Sequence, residues 1–282
     1  IDGKAFRLEN ETTATQVVND VANLPFVITE LKRRQRLKNP PAPFTTSTLQ
    51  QEAAKRLGFT AQRTMRTAQQ LYEGIDVGSE GSVGLITYMR TDSTRVAGSA
   101  ADEARSMIRG NFGDRYLPDA PRMWGGKQQK GAQEAHEAIR PTSALRRPEA
   151  LRQYLDRDQL RLYELIWLRF VAGQMQPAVF DTTTADFGLE AQSGTHYLFR
   201  ATGSIMVFDG FTRLYQEARE EGDHRTLDDL EPLPELAEKD RCQLNEIQPA
   251  QHFTQPPPRF TEASLVKELE RLGIGRPATY AS

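Results

Sequence analysis

Hydrophobic and polar positions follow two different periods along this chain, and the places where the period changes divide it into pieces. After Thr12 and Thr13, "ATQVVNDVANL" has the spacing of an amphipathic helix, and "PFVITELKRRQRL" then alternates like a strand that grows polar toward its end. "KNPPAPF" at 38–44 reads as a linker, because adjacent prolines neither continue a helix nor donate to a sheet ladder. Ser47 is placed to cap "TLQQEAAKRL", with Leu49, Ala53 and Leu57 on one face and Gly58 at the exit. Thr60 is placed to cap "AQRTMRTAQQLYEG", with Met65, Ala68 and either Leu71 or Tyr72 facing inward. Two helices and a tight turn make a helix-turn-helix shape, which serves DNA binding and plain packing equally often.

"GSEGSVG" at 78–84 is a glycine-rich turn ahead of an expected strand "LITYM". It lacks the Lys-Ser/Thr ending and following helix of a phosphate loop. "GSAADEARSMIRGNFG" predicts a further helix and "MWGGKQQKGAQEAH" an irregular loop. Residues 156–175 give the strongest helical pattern, with Leu160, Tyr163, Trp167 and Phe170 or Val171 as its buried stripe. From Phe180 to Tyr215 the period drops to two, as in antiparallel strands broken by glycines. An acidic loop, a strand "RCQLNEIQPAQHF", a second linker "TQPPPRF" and a helix from Thr261 to Gly273 complete the chain. The expected fold is mixed α and β with several domains. Residues 1–46 and 177–250 form a discontinuous β-rich domain, 47–176 an inserted, mainly helical, helix-turn-helix-like domain, and 251–282 the start of another.

The 282 residues, 38% of them hydrophobic, suffice for one large core or two to three small ones. No apolar run approaches the roughly 18 residues of a membrane span, and no signal-peptide order opens the chain, so a cytoplasmic protein without membrane contact is expected. The single Cys242 leaves no internal disulfide framework and no cysteine-rich zinc site. From Glu217 to Asp240 ten acidic residues face Arg219, Arg225 and Lys239, a local charge of −7 in a chain of net −2, so the remainder carries +5. The stretch "LKRRQRLK" at 31–38 is basic enough to meet phosphates; an exposed strand end is the commoner meaning.

Two places combine chemistry-bearing residues. In "GLITYMRTDSTR" at 84–95, Tyr88 and Arg90 fall on the same side of an extended segment. A phenol is a nucleophile once its ionised form is favoured, and a guanidinium holds a phosphate through its planar fork, so the pair suits transesterification of a phosphodiester. Spacing alone equally describes a half-buried ring beside a solvated charge. In "QEAHEAIRP" at 133–141, His136 lies between Glu134 and Glu137. Without a second histidine or a cysteine pair a complete zinc site is not expected, and the imidazole can contact a phosphate, relay a proton or be structural.

"GLITYMRTDSTR", "QEAHEAIRPT", "FDGFTRLY" and "RFTEASLVKELERLGIGRPATYAS", in this order, resemble the bacterial DNA topoisomerases I, of the type IA class, from about Phe44 onward. The form "ITYMRTDS" is similar to these and unlike topoisomerase III, which typically carries proline after the tyrosine. The resemblance implies that Tyr88 attacks a phosphodiester of single-stranded DNA, giving a 5′-phosphotyrosine link and a free 3′-hydroxyl, and that Arg90 positions the phosphate and stabilises its charge. It implies DNA contacts for His136, Arg276 and Thr279, and support of the tyrosine by Thr87, Asp92 and Ser93. Religation needs no ATP. The β-rich domain corresponds to the hinged arch. Magnesium is expected on an amino-terminal Toprim domain, whose Asp-x-Asp-x-Glu cluster has no counterpart here, so no metal is expected on this chain. The partners implied are a single-stranded region of negatively supercoiled DNA and that missing half in cis, without which the fragment should not relax DNA. The rival expectation is a non-catalytic single-stranded nucleic-acid-binding module, in which Tyr88 stacks on a base.

Overall fold

Caps and register explain most of where the elements begin and end. The computed structural model describes residues 1–3, 6–125, 137–218, 226–276 and 279. In chain order the elements are α1 (Glu11–Val21), β1 (Phe26–Lys38), α2 (Thr46–Leu57), α3 (Ala61–Glu73), the short strands β2 (Ile75–Asp76) and β3 (Ser82–Val83), α4 (Gly98–Phe112), α5 (Pro148–Leu151), α6 (Arg157–Gly173), β4 (Ala178–Glu190), β5 (His196–Phe208), β6 (Arg241–Cys242) and α7 (Glu262–Arg271). The fold is mixed α and β and divides into two units. One comprises Ile1–Leu37, Val179–Phe208 and His224–Pro258, the other Lys38–Ala178, Asp209–Asp223 and Arg259–Ser282.

The first unit is a four-stranded sheet in the order β5-β4-β1-β6. Its spine is the β4–β5 hairpin, paired from Val179↔Phe208 to Glu190↔His196. Val21 of α1 joins Leu189, Ala191 and Tyr197 in a small core, with Val17 and Phe26 packed against it. The Tyr197 hydroxyl donates to Asp20 Oδ2 at 2.6 Å. That bond, with burial, pushes the phenol up to about 12. The cap of α1 is Asn10, whose side chain accepts from the Thr13 amide, so the helix begins ahead of Thr12 and Thr13. The strand expected over 241–253 stops at Cys242. Its register is Phe26↔Cys242, so the next partner is Pro25, which has no N–H to offer.

In the second unit the α2–α3 pair has the expected punctuation with one shift. Thr45, not Ser47, caps α2 and forms a capping box with Thr48. Gly58 ends it at φ +68, the left-handed region that glycine enters without strain, and Thr60 caps α3 by accepting from Arg63 N–H at 3.1 Å. Leu71 faces inward and Tyr72 outward. α6 departs from the expected single stripe: Leu160 is only half-buried, whereas Leu165, Ile166, Trp167, Arg169, Phe170 and Val171 are all buried. It packs against α2, α3 and α5 at once, so nearly its whole circumference is interior. Asp156, within the "DRD" at its start, is its N-cap, and Asp158 pairs with Arg63 at 2.6 Å.

The proline-rich 38–44 is not a free linker. Pro40, Pro43 and Phe44 are buried, a use of prolines that leaves no N–H stranded. Arg169 donates to Ala42 O and Glu217 Oε1, both at 2.6 Å, and to the Tyr215 hydroxyl, which in turn donates to Glu52. Burial pushes the Tyr215 phenol upward. By contrast 254–258 is exposed and without secondary structure. α7, capped by Thr261, begins beside the end of α2, where Glu262 accepts from the Ala61 amide at 2.6 Å. It packs on α2.

Asp186 on β4 and Arg200, its partner on β5, are joined by two hydrogen bonds at 2.6 and 2.7 Å, with the carboxylate only 5% exposed. The Arg200 guanidinium holds the Asp186 carboxyl below the usual carboxylate range. The contribution is therefore fully present above about pH 4 and is lost as pH falls through the lowered value. Asp186→Asn is expected to lower stability by about 1–2 kcal/mol at neutral pH, with the difference from the parent shrinking in acid. Urea unfolding at neutral and acid pH checks both.

Candidate active site

Residues 84–92 belong to no sheet, and the chain bends at Met89 and Arg90. The strand expected at "LITYM" is absent; only Ile86 makes a bridge, to Pro141. The backbone groups go elsewhere. Leu85 N–H donates to Leu71 O, near the end of α3, at 2.7 Å, and Gly84 lies so close to Tyr72 O that a Cβ would come within 2.7 Å of it. Thr87 bonds the 138–140 stretch, its amide to Arg140 O at 2.9 Å and its hydroxyl to Ala138 O at 2.7 Å, while accepting from Arg140 N–H at 3.0 Å. Further on, Thr91 O accepts from Thr46 N–H at 2.9 Å, and the Thr46 hydroxyl donates to Met89 O at 2.7 Å. Leu85 and Ile86 are buried side by side, and from Tyr88 onward burial alternates without a ladder: Met89 and Thr91 are buried, and Tyr88, Arg90 and Asp92 are exposed.

Tyr88 is 45% exposed, its ring edge-on to Tyr72 with centroids 5.3 Å apart. Among the described residues its hydroxyl has no hydrogen-bond partner, and Arg90 has neither a hydrogen bond nor an ion pair. Buried tyrosines of the same unit behave oppositely. The Tyr163 hydroxyl donates to Arg146 O at 2.6 Å, and burial pushes its phenol upward. A nucleophile must be reachable and uncommitted, and Tyr88 is both.

Ser93 and Thr91 shape the exit from the segment, with Ser93 N–H donating to Thr91 Oγ1 at 3.0 Å and Arg95 N–H to Ser93 Oγ at 3.1 Å. Arg140, not singled out from the sequence, is mostly buried beside the segment and donates twice to Glu137 Oε2, at 2.9 and 2.6 Å. Its signal was only the "EAIRP" spacing. His136 lies outside the described residues. Arg276 and Thr279 form one small turn, Thr279 N–H donating to Arg276 O at 2.8 Å and Arg276 N–H to Thr279 Oγ1 at 2.9 Å. No contact joins that turn to Tyr88 among the described residues. Among the described residues no three His, Cys, Asp or Glu are grouped to hold a metal ion. In the first unit Lys32, Arg34, Arg36 and Arg200 line a groove of about 250 Å³ with Thr182 and Thr184, whereas Arg33 turns away to Leu236 O.

Comparison with known proteins defines the class. The sequence pattern of the DNA topoisomerase family matches residues 2–282, and the chain belongs to that family. It is 47% identical over 288 residues to DNA topoisomerase 1 of Xylella fastidiosa and 46% identical over 279 residues to DNA topoisomerase 1 of Rickettsia prowazekii. These alignments cover 100% and 99% of the chain, which spans about a third (35%) of the length of each relative. Full-length topoisomerase I from Thermotoga maritima superposes with a TM-score of 0.73 at 39% identity, over 100% of this chain and 43% of that one.

Thr87→Val deletes the hydroxyl that bridges the Tyr88 segment to residues 138–140. It is expected to lower stability by about 1–2 kcal/mol, because Ala138 O and Arg140 N–H lose a buried partner. The expected signature is faster amide exchange at Arg140, read by NMR or mass spectrometry.

Proposed function

We propose that this chain is the tyrosine-bearing part of a type IA DNA topoisomerase, which relaxes negatively supercoiled DNA by transient cleavage of one strand. The observation that supports this best is the pairing of a reachable, uncommitted phenol with an unpaired guanidinium two residues on, both presented by a segment fixed at its buried positions. Tyr88 Oη attacks phosphorus, the bond to the 3′ oxygen breaks, and the tyrosine retains the 5′ phosphate while its proton is lost and the leaving oxygen gains one. Arg90 holds the non-bridging oxygens and stabilises the charge that develops there. One phosphoester replaces another, so the reverse attack by the 3′-hydroxyl reseals the strand without ATP.

In this reading His136, Arg276 and Thr279 contact the bound single strand. The sheet unit is the arch, and the helical unit, helix-turn-helix-like in its α2–α3 pair, is carried by it as the gate opens. Magnesium belongs to a Toprim domain in the rest of the longer protein, so this chain alone does not relax DNA, and no step above runs through the metal. No helix among the described residues is long and apolar enough to cross a membrane; a cytoplasmic setting is part of the proposal. The second reading, a nucleic-acid-binding module without cleavage, is favoured by the basic groove of Lys32, Arg34, Arg36 and Arg200.

The test joins this chain to a matching amino-terminal half with magnesium and supercoiled plasmid. The parent is expected to relax the plasmid and to become covalently linked to DNA at Tyr88, whereas Tyr88→Phe does neither while still binding single strands. Arg90→Ala is expected to slow cleavage by about 10²–10³-fold. Relaxation by Tyr88→Phe would remove Tyr88 as nucleophile; binding without linkage in the assembled parent would favour the module.

A further inference from the structure

We infer that Thr46, at the start of α2, is a positioning residue for the Tyr88–Arg90 pair, an inference that rests on the proposed cleavage reaction. Thr46 is fully buried and touches neither the phenol nor the guanidinium in any recorded contact. It grips the backbone on both sides of Arg90. Its hydroxyl donates to Met89 O at 2.7 Å, lies 3.1 Å from Thr91 O, and accepts from Thr91 N–H at 2.9 Å. Its own amide donates to Thr91 O at 2.9 Å.

A hydroxyl offers one proton and two lone pairs, and here both roles are used on residues 89 and 91. The arrangement stands in for the ladder that the segment lacks. Without it Met89 O and Thr91 N–H would be buried with no partner and would turn toward water, swinging Arg90 with them. The methyl of threonine only packs; the oxygen does the holding. Placement on α2 matters as well, because Thr45 and Thr48 fix the first turn of that helix through a capping box, so the clamp is tied to a rigid element. Thr87 pins the segment just before Tyr88, and Thr46 pins it on either side of Arg90.

The test uses the full-length enzyme containing this chain, with Thr46→Val, which keeps the shape without the oxygen, and Thr46→Ser, which keeps the oxygen without the methyl. Thr46→Val is expected to slow formation of the covalent tyrosine link by about 10–100-fold under single-turnover conditions, with affinity for a single-stranded oligonucleotide within about twofold of the parent. Thr46→Ser is expected to retain at least half of the parent rate. A Thr46→Val rate within twofold of the parent overturns the inference. So does a Thr46→Ser variant that is folded and as slow as Thr46→Val, or a loss of affinity equal to the loss of rate. Amide exchange at Thr91 reads the clamp without reference to activity and should quicken by about tenfold or more in Thr46→Val. If the parent forms no link at Tyr88, the proposed function fails by itself. The exchange measurement then still decides the clamp, and unchanged protection at Thr91 overturns it.

Discussion

The candidate site depends on how a single strand of backbone, left without a sheet partner, satisfies its buried polar groups. Residues 84–91 place Leu85, Ile86, Met89 and Thr91 in the interior, so their amides and carbonyls cannot be left to water. The fold answers with unlike partners in turn: a carbonyl near the end of α3, the backbone of Arg140 and Thr142, and the amide and hydroxyl of Thr46 at the start of α2. Isolated hydrogen bonds hold the segment in place of a ladder, and the side chains of Tyr88 and Arg90 stay exposed.

The helices were largely legible in the sequence because their ends are written in local chemistry. Thr60, Gly58, Thr261 and Gly273 sit where a cap or a left-handed exit was expected. Ser47 missed by two positions because four hydroxyl residues, Thr45 to Thr48, stand together, and the one that wins is Thr45, which finds a reciprocal partner in Thr48. The long hairpin was legible from its period of two. What was not legible is what distant residues decide. Alternating burial at 88–92 looks the same in a strand and in a pinned coil, since periodicity senses which side is dry and not who receives the hydrogen bonds. The early end of β6 is set by Pro25, more than two hundred residues away in sequence. The all-round burial of α6 follows from three helices meeting it, and no single-helix pattern carries that.

For the site, the spacing of Tyr88 and Arg90 was readable as two residues on one side, and the alternation of exposure agrees with it. Their support was half readable. Thr87 and Ser93 stand next to the tyrosine and could be suspected from position, whereas Thr46 looks like one of several helix-capping hydroxyls until the contact with Met89 is seen. The same holds for Arg140, an ordinary basic residue in sequence and a mostly buried one in the fold.

An uncommitted arginine beside an uncommitted phenol is stable only while both are solvated. In water the field of Arg90 is strongly screened, and a charge a few ångströms away gains about 1 kcal/mol from it. The gain rises several-fold wherever that water is displaced. A pair presented on an exposed segment is therefore quiet by construction, and acquires reactive character only when something else completes its surroundings. The backbone must then already be in position, because flexible residues would have to be ordered at the moment of reaction, at roughly 1–2 kcal/mol each. Burying Met89 and Thr91 and pinning their polar groups meets that cost during folding.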